Sequence, residues 1–351
     1  MNKTEELFEK FRTAQAIWED YELFITLNET QMEPFYQLAN EIKNKHFKNV
    51  LKIYIPNKRF PAISITGTDC SLHCDHCNEK YLAGMKPLQN NADLEKFLFQ
   101  HAKNDGVGAL ISGGCDPDGS VPLINFLDTI KKVKNASKLI INTHTGLLNE
   151  QTAKKLSEAN VDIVSFDVNM DEEIVKKIYH LDKELEEYKR AVNLLKKYNL
   201  NIIPHICVGL HYGELHKELN SLRFIKEAQI NPELIVIIAL IPPKNSKISF
   251  RRPEPSEISK IILLTRFIFP TTEISLGCMR PRGDIKIEVE KYAINAGITR
   301  IEIPSVKTLE WLKERDPSVR FKFFSACCAI PRKYEKIAKS KESDIKRYLI
   351  I

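Results

Sequence analysis

From residue 50 onward the chain alternates between two patterns. Short, nearly all-apolar runs bounded by turn residues fall at 62–66, 109–112, 139–143, 163–166, 202–207, 234–240, 273–276 and 301–303. Between most of them lie stretches with apolar residues at three-to-four spacing, at 94–102, 123–133, 150–159, 183–198 and 215–227. Runs apolar on both faces, alternating with amphipathic helices, predict parallel strands covered by helices. Six or more such units in succession predict an α/β fold of the (β/α) TIM-type barrel class, partial or full. Ahead of it, Leu7, Phe8, Phe11, Ala14, Ile17 and Tyr21, then Phe35, Leu38, Ile42 and Phe47, predict helices, and an extended segment ends at Pro56. The expected organisation is a helical extension at 1–55 capping a barrel at 56–310, with a C-terminal extension at 311–351.

Barrels of this kind place their chemistry on the loops that follow the strands. After the first run comes TGTDCSLHCDHC, after the second SGGCDPDG, after the third His144, and after the fourth Asp167 and Asn169. The fifth leads into HICVGLHYGE and the seventh into LGCMRPRG. Polar, glycine-rich or cysteine-bearing segments follow almost every strand, more regularly than idle loops require.

Composition narrows the setting. With 43% hydrophobic residues the chain can build a core, which excludes disorder. No apolar run reaches the ~18–20 residues that span a bilayer, and the acidic, amphipathic start MNKTEELFEKF is unlike a signal peptide. A cytoplasmic chain without a membrane partner is the expectation. The net charge of +6 is mild, and the basic stretch from Arg332 and Lys333 to Lys346 and Arg347 reads as a solvated terminal helix. No nucleic-acid partner is expected. Eight cysteines in a reduced compartment point to metal binding or catalysis rather than disulfides.

Three of them, Cys70, Cys74 and Cys77, form C-x3-C-x2-C in one strand-end loop. Thiolates at this spacing can ligate three irons of a [4Fe–4S] cluster and leave the fourth open to a small ligand. A structural zinc ion needs a fourth donor, for which His73 and His76 are the nearby choices.

The triad, with His76 before its last cysteine, resembles the signature of the radical S-adenosylmethionine superfamily. The resemblance implies a partial or full (β/α) barrel, a [4Fe–4S] cluster, and S-adenosylmethionine chelated at the open iron. It also implies reductive cleavage to a 5′-deoxyadenosyl radical that takes a hydrogen atom from an unactivated carbon, the protein supplying position and shelter. Gly113-Gly114-Cys115 stands where the family has Gly-Gly-Glu beside the methionyl amino group. FDVNMD at 166–171 is similar to the biotin synthase segment that holds ribose and substrate, which carries that role onto Asn169 and Asp171. CVGLHYGE at 207–214 resembles the biotin synthase adenine segment, here with two extra residues, and implies a cofactor role for Val208, Gly209 and Glu214.

The remaining cysteines bear on the reaction. Biotin synthase draws sulfur from a second cluster, but the matching positions here include His144 and Ile203 rather than cysteine throughout. Cys278, Cys327, Cys328 and Cys115 are instead the candidates for an auxiliary [4Fe–4S] cluster, adjacent Cys327 and Cys328 being awkward as joint ligands. A biotin-synthase-like chain with this cysteine set is similar to one subunit of the archaeal-type two-component lipoyl synthase. The resemblance implies sulfur insertion into an octanoyl chain, with an octanoylated lipoyl carrier domain, a second synthase subunit and a reductant such as ferredoxin or flavodoxin as partners. Arg280 and Arg282 are open to three readings: steering an acidic carrier, binding the methionyl carboxylate, or pairing inside the barrel. Two alternatives stay open, a mutase or metallocofactor maturase without sulfur insertion, and a non-catalytic iron–sulfur or zinc scaffold.

Overall fold

The computed structural model describes residues 3–244, 246 and 248–350. Its eleven strands are β1 (Val50–Tyr54), β2 (Ala62–Ser64), β3 (Lys86–Pro87), β4 (Gly108–Ser112), β5 (Ile140–His144), β6 (Ile163–Asp167), β7 (Ile202–Val208), β8 (Leu234–Ala239), β9 (Glu273–Leu276), β10 (Arg300–Glu302) and β11 (Arg320–Phe324). All pair in parallel in the order β11-β1-β10-β9-β8-β7-β6-β5-β4-β2-β3. The sheet curls into a partial barrel, and among the described residues no ladder joins its two edges.

From β3 onward, helices return the chain from the end of each strand to the start of the next, the geometry that parallel pairing demands. They include α4 (Asn91–Lys103), α5 (Leu127–Ala136), α6 (Glu150–Glu158), α7 (Leu185–Lys197), α8 (Glu218–Glu227), α9 (Pro255–Ile268), α10 (Lys286–Asn295) and α11 (Val306–Arg315). Local chemistry sets their starts. Asn90 and Asn149 accept the N–H of Asp93 and Thr152, each at 2.9 Å, and Pro255 opens α9.

Both strand faces are buried, by the two-residue alternation of a strand. In β8, Leu234, Val236 and Ile238 face the barrel interior with Tyr54, Phe60 and Ile203. Ile235, Ile237 and Ala239 belong to the outer core shared with the helices.

The helices of the N-terminal extension pack on the side of the barrel. Helices α1 (Lys3–Arg12), α2 (Trp18–Ile25) and α3 (Glu29–Phe47) lie on the outer surface, against α9 and α10. Phe11, Phe24 and Phe35 meet Phe267 of α9 with ring centroids 4.8–6.2 Å apart. The boundaries at 55 and 310 do not separate independent bodies, since β1 is clamped between β10 and β11 in the same sheet. Its register is anchored by charge. Buried Arg300 pairs with Glu273 and Glu335, and Lys52 of β1 reaches the same two carboxylates at 2.7 and 2.5 Å. The unexpected strand β11, RFKFF, alternates charge and aromatic, as an edge strand with one wet face does. No described helix is long and apolar enough to cross a membrane.

Candidate active site

The cysteine loop runs from β2 to β3. His73, Asn78 and Glu79 take positive φ values of 47°, 46° and 54°, which fold the loop back on itself around the half-buried thiols. The Cys115 N–H donates to Cys70 Sγ at 3.3 Å, and the backbones of Leu72 and His73 also face that sulfur. Glu79 and Tyr81 do the same for Cys77. A hydrogen bond from the Cys115 side chain, working against partial burial, holds the Cys70 thiol down to about 5. Burial pushes the Cys74 and Cys77 thiols up, and a bound cation would offset that cost by replacing their protons. Three thiols served by backbone N–H groups are the donor set of an iron–sulfur cluster, and the loop fits one. The two histidines near the triad differ in setting. His73 is exposed and paired with Glu79, and His76 turns into the neighbouring cavity, where burial lowers it to about 4.

Glycine is required where the next loop meets this one. A Cβ on Gly114 would lie 2.0 Å from the Asp69 carbonyl and 2.6 Å from Cys70 Cβ, and the Gly114 N–H donates to Thr66 Oγ1 at 2.8 Å. Gly113 precedes it against the Thr66 side chain. Past β6, a π-helical turn at Ile174–Ile178 brings the Tyr179 carbonyl within 3.6 Å of Cys74 Sγ.

Asn169 and Asp171 are buried between β6 and that turn. Both line the cavity, and the Asn169 amide nitrogen has no partner, a donor ready for a polar ligand. Asp171 is already held by His216 Nδ1 at 2.5 Å and Lys217 at 3.5 Å. Val208, the last residue of β7, is buried toward the outer core, and Gly209 after it takes φ +81°. Glu214 does not reach the cavity. The turn through Tyr212 and Gly213, both at positive φ, throws it outward to Arg251 at 3.6 Å. Buried Glu218 takes the inner place, accepting the N–H groups of Gly209 and His216, each at 2.8 Å. Sequence reasoning missed it because the glutamate matched by alignment lies four residues earlier.

The cavity holds about 400 Å³ and is walled largely by apolar side chains, among them Phe60, Ile206, Leu210, Val236 and Ile238. Its polar residues fall in separate groups. Near the cysteine loop, His144 Nδ1 lies 3.6 Å from Asp167, with His205 beside it. Burial works to raise Asp167, but the His144 hydrogen bond and the nearby histidines overcome it and the carboxyl ends below its usual range. On the wall made by β9, β10 and β11, Cys278, Cys327 and Cys328 surround Glu302. Cys115 is not among them, being held against Cys70 two loops away. Arg280 is buried in a 2.6 Å pair with Glu290, the pairing inside the barrel that was one of its three readings, with its Nε unpartnered, while Arg282 is exposed.

A curled parallel sheet with a C-x3-C-x2-C loop at its mouth and a polar cofactor bed beside it defines an iron–sulfur radical enzyme. The sequence agrees: residues 64–243 match the radical SAM superfamily, and the chain belongs to it. It is 24% identical over 269 residues to biotin synthase of Buchnera aphidicola, covering 73% of this chain and 75% of that one. Biotin synthase of Flavobacterium johnsoniae is 21% identical over 279 residues, covering 76% and 73%. Among solved structures, methylornithine synthase is matched with TM-score 0.63 and 17% identity over 98% of this chain and 95% of its own. The [FeFe]-hydrogenase maturase HydG of Carboxydothermus hydrogenoformans gives 0.69 and 14% over 95% and 81%. These structural likenesses bear on the fold. Membership of the superfamily brings with it a [4Fe–4S] cluster and S-adenosylmethionine.

Proposed function

We propose that this chain is a radical S-adenosylmethionine sulfurtransferase that inserts sulfur into a protein-bound octanoyl chain to build the lipoyl cofactor, as one of two cooperating subunits. One observation carries the reading: Cys278, Cys327 and Cys328 line the same cavity as Asn169 and Asp171, with apolar walls between them. When bound, the cluster and S-adenosylmethionine supply a 5′-deoxyadenosyl radical able to remove hydrogen from an aliphatic carbon. The chain's own residues do the rest. Cys70, Cys74 and Cys77 hold the cluster. The Asn169 amide and the Gly209 loop, pinned by Glu218, orient the cofactor. Phe60, Val236 and Ile238 exclude water and hold an alkyl chain. The second thiol group holds an auxiliary [4Fe–4S] cluster as the sulfur source. An octanoylated lipoyl carrier domain delivers the substrate, the second subunit shares the two insertions, and ferredoxin or flavodoxin supplies electrons.

One feature favours a mutase or maturase instead: Asp167, His144 and His205 are polar groups that an aliphatic chain leaves unused. The test is anaerobic turnover with S-adenosylmethionine, a reductant and an octanoylated carrier domain. The reading expects 5′-deoxyadenosine together with sulfur added to the carrier by mass spectrometry. Deoxyadenosine from a different, polar substrate, with the carrier unchanged, overturns it.

A further inference from the structure

Glu302 is the last residue of β10 and is 4% exposed. Its Oε2 accepts the Cys328 N–H at 3.2 Å and lies 4.0 Å from Cys327 Sγ. The thiols of Cys278 and Cys328 also face the carboxylate. Donor atoms of Glu302, Cys327 and Cys328 all lie within 4.8 Å of one another. The convergence follows from topology. β9, β10, β1 and β11 are successive neighbours in the sheet, so their C-terminal ends meet although Cys278, Glu302 and the Cys327-Cys328 pair lie up to 50 positions apart.

Among the described residues no cation is hydrogen-bonded to the Glu302 carboxylate, and only Arg280 acts on it from a distance. The Arg280 guanidinium is committed to Glu290 at 2.6 Å, the Gly277 carbonyl at 2.6 Å and the Ile303 carbonyl at 3.1 Å. A buried carboxylate among three thiols is costly to ionise without a cation. A thiophilic metal removes that cost by replacing the protons; thiolates with a carboxylate suit iron or zinc, and iron is the metal that the sulfurtransferase reading supplies.

We propose that Glu302 is a metal ligand, forming an iron centre with Cys327 and Cys328, whose thiols both reach it despite being adjacent in sequence, and with Cys278 as a third sulfur donor on the cavity wall. This rests on the second centre of the sulfurtransferase reading and gives it a fourth, non-cysteine ligand.

The experiment uses the full chain with Cys70, Cys74 and Cys77 all replaced by Ala, which removes the first cluster. The protein is reconstituted anaerobically with ferrous iron and sulfide, desalted, and assayed for both. The chain is expected to retain iron, and adding Glu302→Gln should lower it roughly ten-fold or more, with Glu302→Cys restoring it. X-ray absorption on the chain that keeps Glu302 should show a mixed sulfur and oxygen shell, a readout that does not depend on how the variants fold. No iron retained, equal iron in Glu302→Gln, or an all-sulfur shell overturns the proposal. Iron held through Glu302 without sulfide upholds it while removing the sulfur-donor reading, so the two fail separately.

Discussion

The Cys115 N–H donates to Cys70 Sγ at 3.3 Å while the Cys115 carbonyl accepts the Ser71 N–H at 2.8 Å. This two-way tie joins the loop after β4 to the loop that carries the cysteine triad. It exists because Gly114 lets the two backbones touch.

Gly114→Ala should therefore break the cluster site. Its Cβ would collide with backbone at 2.0 Å, which no side-chain adjustment relieves. Iron content after reconstitution and 5′-deoxyadenosine formation should both fall to near background. Gly84→Ala, with nothing within 4 Å of its Cβ, should leave both unchanged.

The two glutamates of the β7 loop should separate cleanly in cofactor binding. Glu218→Ala frees two N–H groups that it now accepts, a loss of about 1.5–3 kcal/mol for bonds to a charged group. S-adenosylmethionine affinity by calorimetry should drop roughly ten-fold or more on that scale. Glu214→Ala, exposed beside Arg251, should leave it within about two-fold.

Cys278→Ala should spare cleavage of S-adenosylmethionine and abolish sulfur transfer, since Cys278 belongs to the group around Glu302 and not to the cysteine loop. Paired assays of deoxyadenosine and product sulfur check this. Equal loss of both would mean that the two groups of cysteines do not divide the work.

Burial lowers His205 to about 4, against 6.5 for a free histidine. The unfolded chain then binds the extra proton between those values, so the stabilisation is complete above 6.5 and is lost as pH falls toward 4. From pH 7.5 to 5 the wild type should lose about 2 kcal/mol from this residue. Urea melts of wild type and His205→Asn should therefore converge by that amount as pH falls. Parallel pH profiles would contradict the assignment.

Much of this molecule is legible in its sequence, for identifiable reasons. Most barrel strands are apolar on both faces, and their runs stand out within a residue or two of the observed bounds. The cysteine triad is local, so its spacing alone announces a cluster. β11 stayed hidden because RFKFF is an edge strand with one charged face. Glu302 stayed hidden because its partners come from neighbouring strands. The only local signal is an acid between two isoleucines, Ile301-Glu302-Ile303, at the end of β10. Cys115 shows the converse: residue type grouped it with Cys278, Cys327 and Cys328, whereas strand order places it beside Cys70.

The central claim is that an aliphatic chain in the cavity gives up hydrogen to the cofactor held opposite the second cysteine group. The direct measurement is turnover of a perdeuterated octanoyl carrier domain, with mass analysis of the 5′-deoxyadenosine released. Deuterium in the deoxyadenosine, with sulfur appearing on the carrier, is the expected result. Deoxyadenosine formed without deuterium would show that the octanoyl chain is not the substrate.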